Sequence, residues 1–312
     1  MITEEVRKAI EKISGLIPEE RLRRDEPMEL HTSFRTGGPA AAFAVTVNED
    51  ELSAVLSALA ETGAEHMLIG NGSNLLVADE GYPGVIVKLG GDFEMIEQDE
   101  EDPCLVRVGA ARLMSSASVF LTGRGLSGFE FASGIPGSIG GAVFMNAGAY
   151  GGEMKDVVES VRVMNADGSG AGTLSSEDMD FSYRHSAAEK GDMIILSAVL
   201  RLRKDEPEAI AARVAELAAK RSAKQPVNFP SAGSTCKRPV GGYAAALIEE
   251  SGLKGYRAGG AEVSEKHAGF VINKGGATTE DVLAVMRHVR EKVFEDSGIM
   301  LEPEVRLINC SL

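Results

Sequence analysis

The sequence predicts an α+β protein of two or three domains, and three patterns along the chain indicate this class. A β-α-β pattern fills residues 1–90, and strands mixed with a single helix follow in residues 91–205. Residues 206–312 combine helices with short strands and are long enough to form a domain of their own. Because 44% of the 312 residues are apolar, the chain can bury more than one core. We therefore expect domain boundaries near residues 90 and 205.

Local signals support the β-α-β pattern of the first region. The segment "AAFAVTV" (41–47) predicts a strand, and Asn48 is placed to cap the helix that follows. Gly63 ends this helix, and "HMLIG" (66–70) begins a second strand. The apolar residues on one face of the helix are Leu52, Val55, Leu56 and Leu59.

The middle and last regions alternate between strands and helices. Pro207 suits the first turn of a helix after the charged linker "RKDEPEAI" (203–210). Beyond that helix we expect a loop, a second helix and two short strands. The remaining predicted segments are strands at 84–89, 104–108, 157–165, 192–202 and 299–308 and helices near 111–122 and 278–296.

Charge and composition argue against several classes of protein. The formal net charge of −15 argues against a nucleic-acid or anionic-membrane surface. Cys104, Cys236 and Cys310 are widely separated and form no CxxC or Cys/His pattern, so we expect reduced thiols and no metal site. No apolar run reaches membrane-spanning length, and the amphipathic start is unlike a signal peptide. We expect a cytoplasmic protein with no nucleic-acid, membrane or obligatory protein partner.

The stretch "GIPGSIGGAVFMNAGAYGG" (134–152) is rich in glycine and nearly free of charge. Its apolar residues argue against a flexible linker, because Ile139 and Phe144 would not stay in water. A buried loop must satisfy its backbone amides, and a flat ligand carrying a pyrophosphate would do so. Two interpretations stay open here, a flavin or nucleotide cradle and a purely structural glycine-rich turn.

A second glycine loop, "GNGSN" (70–74), follows a predicted strand. Its backbone amides would suit an anion such as a phosphate, although a tight turn is the more common explanation of an isolated GxG. A Rossmann fingerprint needs a third glycine, and Leu75 stands in its place. The GxxxxGK[ST] pattern of a P-loop is also missing. The sequence therefore argues against a Rossmann fold and against a P-loop ATPase.

Seven motifs in order extend over nearly the whole chain and resemble one enzyme family. They are "HTSFRTGGPAA" (31–41), "GNGSNLLV" (70–77), the 134–152 stretch, "FSYRHS" (181–186), "KRSAKQP" (220–226), "SAGSTCKRP" (231–239) and "LEPEVRLI" (301–308). Each motif alone is weak, but seven at family spacing are specific. On these motifs the chain resembles the MurB family of UDP-N-acetylenolpyruvoylglucosamine reductases, flavoenzymes of bacterial peptidoglycan synthesis.

The resemblance implies a fold and a cofactor. It implies two FAD-binding subdomains of the p-cresol methylhydroxylase/vanillyl-alcohol-oxidase type, followed by a C-terminal α/β substrate-binding domain. Residues 70–74 contain no histidine, so we expect non-covalent FAD, with NADPH as co-substrate. The residues that the resemblance assigns to FAD are Arg35, Thr36, Gly37, Gly38, Gly70, Asn71, Gly72, Ser73, Asn74, Ser133, Gly134, Pro136, Gly137, Gly140, Gly141, Asn146, Ala147 and Gly148.

The family reaction, which the resemblance implies for this chain, makes physical demands on the site. NADPH gives a hydride to FAD and leaves, and UDP-N-acetylglucosamine enolpyruvate then takes its place. Hydride addition places negative charge on a carbon beside a carboxylate, so the site needs a proton donor and preorganised electrostatic stabilisation. The product is UDP-N-acetylmuramate, and the implied role is in cell wall biogenesis and hence in cell shape and division.

Three residues match the catalytic set of the family, and each has a plainer interpretation. Ser234 matches the proton donor, although a serine after Ala-Gly also suits a cap or a turn. Arg184 matches an arginine that grips the substrate carboxylate, and without the motif it would be a surface loop residue. Glu304 matches the third catalytic residue, although it could equally form a surface pair with Arg306 on the last strand.

Spacing gives separate support to one of the cations assigned to the substrate. Arg221 follows Val214 and Leu217 at helical spacing and continues the apolar stripe of its helix. Its side chain either reaches a substrate diphosphate or extends past the apolar stripe to place its charge in water. The residues that the resemblance assigns to substrate binding are Tyr183, Arg221, Lys224, Lys237 and Arg238.

Two positions depart from many family members. Cys236 replaces an aromatic residue and Arg238 replaces asparagine, and we expect Cys236 either to shrink a site-facing side chain or to remove a packing contact. No insertion carries the tyrosine-bearing substrate loop of the longer subtype, so the chain resembles the compact subtype. Two alternatives stay open. One is another FAD-linked oxidase or dehydrogenase acting on a sugar or hydroxy acid, and the other is a non-catalytic nucleotide-binding protein.

Overall fold

Helices and strands alternate along the chain, of which the computed structural model describes residues 2–312. The helices are α1 (Glu4–Ile13), α2 (Glu49–Thr62), α3 (Met114–Gly123), α4 (Ile139–Phe144), α5 (Pro207–Lys224), α6 (Ala244–Glu250) and α7 (Thr279–Ser297). The strands are β1 (Leu22–Pro27), β2 (Pro39–Thr46), β3 (His66–Ile69), β4 (Leu75–Val77), β5 (Tyr82–Leu89), β6 (Ile96–Gln98), β7 (Leu105–Gly109), β8 (Leu126–Ser127), β9 (Gly148–Ala149), β10 (Gly152–Glu153), β11 (Val158–Asn165), β12 (Ala171–Ser175), β13 (Met193–Arg201), β14 (Arg203–Lys204), β15 (Arg257–Ala258), β16 (Ala261–Val263), β17 (Val271–Asn273) and β18 (Arg306–Ile308). None of the helices within residues 2–312 is long and apolar enough to span a bilayer.

The chain divides into two units that interleave along the sequence. The first unit runs to Arg24 and continues through Ala42–Asn71 and Pro83–Ala219. The second unit comprises Asp25–Ala41, Gly72–Tyr82 and Lys220–Leu312. Two early segments therefore join the C-terminal residues in the second unit. The boundaries near residues 90 and 205 stay a prediction.

A four-stranded sheet lies mainly in the first unit, with the strand order β1-β2-β5-β3. Helix α2 begins after Asn48, whose side chain accepts a hydrogen bond from the Glu51 N–H at 2.9 Å. It ends at Gly63, which has a left-handed φ of 66°. The predicted apolar face of α2 is buried, and β3 runs parallel to β5. The predicted β-α-β pattern, with its cap and its glycine end, is confirmed.

The second sheet of the first unit has five strands, in the order β12-β11-β13-β7-β6. All its neighbours are antiparallel, and the central strand β13 pairs with both β11 and β7. The strands predicted at 104–108, 157–165 and 192–202 are β7, β11 and β13, so these predictions are confirmed.

The helix predicted near 111–122 begins later than expected, at Met114. Residues 110–112 form a turn instead, and their carbonyl groups bind the glycine-rich stretch. The Ile139 N–H donates to the Arg112 carbonyl at 2.9 Å, and the Gly140 N–H donates to the Ala110 carbonyl at 2.8 Å. The residues predicted to form the first turn of the helix therefore bind the 134–152 stretch through their carbonyl groups.

Helix α5 begins at Pro207 as predicted, but its apolar stripe is buried only at its start. Ile210 is buried, whereas Val214, Leu217 and Arg221 are half-buried. The expectation of a fully buried stripe is therefore wrong beyond the first turns. Arg221 lies in the last turn of the helix, with solvent access to its side chain.

The second unit packs α6 and α7 against a three-stranded antiparallel sheet of β15, β16 and β17. One more strand is present here than the two that the sequence predicts. Helix α7 begins with a capping box between Thr278 and Asp281, and it ends at Gly298 with a φ of 72°.

The last strand is shorter than the predicted 299–308. Only Arg306–Ile308 form β18, which runs parallel to β4 with Arg306 opposite Leu75. Residues 302–304 are extended but pair with residues 235–237 instead, because the Lys237 N–H donates to the Glu302 carbonyl at 2.9 Å. The chain changes its pairing partner within this segment, and the change interrupts the regular strand.

Candidate active site

In the first unit, two of the predicted cofactor motifs pack against each other. A Cβ atom at Gly70 would approach the Ser138 Oγ to 2.5 Å. A Cβ atom at Gly140 would lie 2.9 Å from the Cβ of Ala110. Both distances are too short for a larger residue, so the need for glycine at these positions arises from close packing of the chain itself. The structure therefore brings Gly70 together with the 133–148 stretch.

In the second unit, the residues of "RTGG" (35–38) pack against residues 72–78. The Ser33 N–H donates to the Gly72 carbonyl at 3.1 Å, and the Gly38 N–H donates to the Ala78 carbonyl at 2.8 Å. A Cβ atom at Gly72 would overlap the His31 carbonyl oxygen. These bonds place the two cofactor motifs of this unit side by side.

Unpaired polar groups in "RTGG" and in the 72–74 loop fit a phosphate-bearing cofactor. The Oγ1 of Thr36 is buried and has no hydrogen-bond partner. Within residues 2–312, the backbone N–H groups of Gly72, Ser73 and Asn74 donate to no protein acceptor. Buried donors and acceptors normally find partners, and successive free amides suit an anion. The residues present therefore fit the FAD that the sequence leads us to expect.

The predicted carboxylate-binding arginine lies at the tip of a tight turn in the first unit. Ser182 and His185 exchange two backbone hydrogen bonds, each of 3.2 Å, and enclose Tyr183 and Arg184. Arg184 adopts a left-handed φ of 55°. Its guanidinium carbon lies 5.0 Å from the centroid of the Tyr183 ring, which is 50% exposed. The turn presents an arginine and an aromatic ring together, and a cation over a ring is an attractive arrangement.

Asn146 attaches this turn to the glycine-rich stretch. Its buried side chain donates to the Ser182 carbonyl at 3.0 Å and to the Glu153 carboxylate at 2.9 Å. Its Oδ1 accepts from the Lys155 N–H at 3.0 Å. Sequence reasoning assigns Asn146 to the cofactor and misses this positioning role. An amide among glycines and apolar residues was the only signal for it.

In the second unit, Ser234 and Glu304 lie in adjoining extended segments that Thr235 joins. The Glu304 N–H donates to the Thr235 carbonyl at 2.8 Å. Thr235 also donates its N–H to the Gly269 carbonyl at 2.8 Å and accepts the Val271 N–H on its Oγ1 at 3.0 Å. These bonds fix the backbone directly after the predicted proton donor. Sequence reasoning misses Thr235, because a buried threonine carries no chemical signature.

Cys236 is buried in the core of the second unit. It is 6% exposed and belongs to the same apolar cluster as Leu76 and Val305. Burial, reinforced by the nearby charge of Glu304 and opposed by Arg290, raises the pKa of its thiol to about 12. Of the two expectations for this position, its burial in an apolar cluster supports the loss of a packing contact.

The predicted substrate cations of the second unit occupy two segments. Lys224 lies with Arg221 in the last turn of α5. The Lys237 ammonium is 3.8 Å from the Glu302 carboxylate, and the Arg238 guanidinium lies 4.6 Å from the centroid of the Tyr243 ring. Tyr243 is 62% exposed, and the sequence analysis does not single it out. The only signal for it is an aromatic residue directly after two glycines.

The fold and the glycine loops define a class of protein, the flavin-binding oxidoreductases of the p-cresol methylhydroxylase type. The profile of the FAD binding domain matches residues 40–170. The crystal structure of p-cresol methylhydroxylase with substrate bound matches 97% of this chain and 66% of that chain, with a TM-score of 0.50 at 14% identity. At this identity the likeness shows the fold alone.

Closer relatives show the family. The profile of the UDP-N-acetylenolpyruvoylglucosamine reductase C-terminal domain matches residues 225–308. The UDP-N-acetylenolpyruvoylglucosamine reductase of Lachnoclostridium phytofermentans is 45% identical over 301 residues, which cover 96% of each chain. The crystal structure of this reductase (MurB) from Thermus caldophilus matches 92% of this chain and 98% of that chain, with a TM-score of 0.79 and 35% identity. The chain belongs to the UDP-N-acetylenolpyruvoylglucosamine reductase family.

Proposed function

We propose that the protein reduces UDP-N-acetylglucosamine enolpyruvate to UDP-N-acetylmuramate with NADPH and FAD, as a cytoplasmic enzyme of peptidoglycan biosynthesis. Family membership over 96% of the chain supports the reaction. The single structural observation that carries the proposal is the hydrogen bond from the Glu304 N–H to the Thr235 carbonyl. It supports the proposal because the backbone of Glu304 is bound to the residue directly after Ser234, the proposed proton donor.

The cofactor would be held by residues of both glycine motifs and by "RTGG". Bound FAD supplies a hydride carrier between NADPH and the enolpyruvyl group. The free amides of residues 72–74 and the orphaned Thr36 hydroxyl are available as its hydrogen-bond partners. The segment 70–74 offers neither histidine nor cysteine for a covalent bond, which supports non-covalent binding.

Ser234 is the proposed proton donor to the substrate carbon beside the carboxylate. A serine hydroxyl is a weak acid, so its use requires a strongly basic carbanion and an accurately placed Oγ. The three hydrogen bonds of Thr235, to Glu304 and to the segment 269–271, supply that placement. Loss of the hydroxyl would remove the proton without changing the backbone.

Arg184 is proposed to bind the substrate carboxylate through two parallel N–H donors. Its tight turn and the Tyr183 ring limit the directions that the guanidinium adopts. Glu304 is proposed to orient the enolpyruvyl group for protonation by Ser234. The guanidinium of Arg184 would stabilise the negative charge that develops when hydride adds.

The four cations at 221, 224, 237 and 238 are proposed to bind the diphosphate of the substrate. They belong to a chain with a net charge of −15, so a local positive cluster would concentrate a nucleotide anion at one place on an otherwise repelling surface. Arg238 carries the planar fork that suits phosphate oxygens, and Lys224 and Lys237 supply compact charges.

Anaerobic flavin spectroscopy tests the proposal directly. NADPH should bleach the flavin absorbance of the purified holoenzyme, and UDP-N-acetylglucosamine enolpyruvate should then restore it, with UDP-N-acetylmuramate as the product by mass spectrometry. UDP-N-acetylglucosamine, which lacks the enolpyruvyl group, is the control and should leave the flavin reduced. Failure of the enolpyruvyl nucleotide to reoxidise the flavin would reject the proposal. Reduction of the flavin by a sugar or hydroxy acid would favour the oxidase alternative.

A further inference from the structure

Asn74 contacts the segment that carries Glu304 with both its side chain and its backbone. The Nδ2 of Asn74 donates to the Glu304 carbonyl at 3.0 Å. The carbonyl of Asn74 accepts the Arg306 N–H, also at 3.0 Å. The two contacts lie on either side of Val305, and both belong to the second unit.

The side chain of Asn74 replaces a bond that its own backbone would make in a regular ladder. Strands β4 and β18 are parallel, with Leu75 opposite Arg306. A parallel ladder extended by one residue would join the Asn74 N–H to the Glu304 carbonyl. The chain turns at this point, and the Nδ2 of Asn74 donates to the Glu304 carbonyl instead. The Asn74 N–H has no protein partner within residues 2–312.

Because the side chain of Asn74 replaces its backbone N–H as the donor to Glu304, the loop has two functions. The side chain faces Glu304, whereas the backbone N–H is one of the three free amides that fit the cofactor. The backbone of Glu304 is held on its other side by the Thr235 carbonyl, so its N–H and its carbonyl are both fixed. Removal of the Nδ2 would release one of these two constraints and leave the Glu304 carbonyl without its donor.

We propose that Asn74 is a positioning residue for Glu304, through the bond from its side-chain amide to the Glu304 carbonyl. The inference rests on the proposed function for the role of Glu304. Asn74 belongs to the loop that resemblance assigns to FAD, and its side chain serves the second half of the reaction, in which the enolpyruvyl group is reduced and protonated. The first half, in which NADPH reduces the flavin, does not use Glu304.

The test compares two variants that each remove one amide-to-carbonyl bond in the second unit. Asn74→Ala removes the bond to Glu304. Asn309→Gly removes the bond from the Asn309 Nδ2 to the Gly81 carbonyl, which is 2.9 Å long, and glycine accepts the left-handed φ of 55° at that position. Asn309 has no assigned part in catalysis or binding. Its variant therefore measures the effect of losing one amide-to-carbonyl bond away from the proposed catalytic residues.

Rapid mixing of the holoenzymes measures the two half-reactions separately. Asn74→Ala should slow flavin reoxidation by saturating enolpyruvyl nucleotide on the order of tenfold or more, because a misplaced catalytic group loses rate steeply. Flavin bleaching by NADPH and the Kd for FAD should stay within about threefold of wild type. Asn309→Gly should leave both half-reactions near wild type. Equal slowing of both half-reactions with weaker FAD binding would show that Asn74 serves the cofactor, and it would overturn the inference.

Amide hydrogen exchange in the protein without nucleotide supplies a readout that does not depend on activity. The Glu304 and Arg306 amides should exchange faster in Asn74→Ala than in wild type or in Asn309→Gly. Unchanged exchange at both amides would overturn the inference. If wild-type enzyme fails to reduce the enolpyruvyl nucleotide, the proposed function fails. The exchange result still decides whether Asn74 holds the Glu304 segment.

Discussion

Three residues of the candidate site that are not glycine adopt left-handed backbone conformations, Arg35 in the second unit with a φ of 56° and two residues in the first unit. Asn146 has a φ of 43° and Arg184 has a φ of 55°. Such a conformation costs about 1 kcal/mol or more for a residue with a side chain, and it persists only where the surroundings enforce it. The three side-chain bonds of Asn146 and the tight turn around Arg184 are those surroundings. The strain at Asn146 and Arg184 is therefore linked, because the side chain of Asn146 holds the turn that contains Arg184.

We expect Asn146→Ala to lower the free energy of unfolding by about 1–3 kcal/mol, because it leaves the Lys155 N–H without its acceptor and removes one of the two donors to the Ser182 carbonyl. Urea unfolding of the apoprotein measures the loss. Asn71→Ala, at an exposed position of the same unit, is the control and should change the stability by less than about 0.5 kcal/mol. Equal small effects of the two substitutions would contradict the positioning role of Asn146.

At Ser234 the expected effect is on chemistry and not on stability. Ser234→Ala should slow flavin reoxidation by the enolpyruvyl nucleotide at least a hundredfold, on the order of 3 kcal/mol of barrier. Bleaching by NADPH should stay near normal, because direct hydride transfer to the flavin needs no proton for a substrate carbon. Stopped-flow absorbance measures both steps. Ser264→Ala, which removes a buried hydroxyl that accepts the Lys266 N–H, should not separate the two rates. If Ser234→Ala slowed both steps equally, the result would show that Ser234 has a structural role and is not the proton donor.

At the scale of elements, helix α7 depends on a carboxylate from a distant segment. The Asp79 carboxylate accepts the Thr279 N–H at 2.8 Å and the Glu280 N–H at 2.9 Å. These amides belong to the first turn of α7, which has no helical acceptors for them. An anion at this end of a helix is also favoured by the helix dipole. Asp79 therefore joins the segment after β4 to the longest helix of the second unit.

We expect Asp79→Asn to lower the free energy of unfolding by about 1 kcal/mol, because the amide accepts fewer bonds and carries no charge for the dipole. Glu80→Gln is the matched control, since Glu80 is exposed and adjacent. Chemical denaturation of both variants in the apo form measures the difference. Similar midpoints for the two variants would exclude a capping role for Asp79.

Elements with local signals were predictable from the sequence, and elements with distant partners were not. The cap at Asn48 and the end at Gly63 define α2 within a few residues. The late start of α3 depends on pairing of Arg112 with the glycine-rich stretch. The partner of Asn74 lies 230 residues along the chain, so no local pattern contains it. Resemblance supplied the candidate site residues, whereas the positioning bonds around them required coordinates.

At the scale of the molecule, a half-buried histidine of the second unit, His267, contributes to the dependence of stability on pH. Burial lowers the pKa of His267 below its ordinary value of 6.5; the charge of Lys254 lowers it further, and a backbone hydrogen bond and Glu249 oppose the shift. The Nδ1 of His267 accepts the Gly269 N–H at 3.2 Å, which a protonated ring cannot do. The unfolded chain therefore takes up the proton at a higher pH than the folded chain. The contribution of His267 is complete above pH 6.5 and is lost as the pH falls through the folded pKa.

His267→Gln should therefore remove part of the acid sensitivity. The free energy of unfolding of wild type should fall more than that of the variant between about pH 7.5 and about pH 5.5, because only wild type gains a proton at this position on unfolding. Urea unfolding at a series of pH values measures both curves. A constant difference between the curves across this range would show that His267 does not titrate with folding.

Four cations of the second unit are candidates to bind both nucleotide reactants. Arg221, Lys224, Lys237 and Arg238 belong to the second unit, and the chain has no Rossmann fingerprint for a separate NADPH site. We therefore expect NADPH and the enolpyruvyl nucleotide to occupy overlapping positions in turn.

Steady-state rates with both reactants varied should give parallel double-reciprocal lines, with inhibition by the enolpyruvyl nucleotide at high concentration. Lys224→Gln should raise KM for both reactants, because one ammonium would serve both phosphate groups. Lys292→Gln, which removes an exposed charge paired with Asp296 on α7, should leave both KM values unchanged. Intersecting lines would indicate a ternary complex with two separate sites. A rise in KM for the enolpyruvyl nucleotide alone would show that NADPH binds without Lys224, and either result would contradict a shared position.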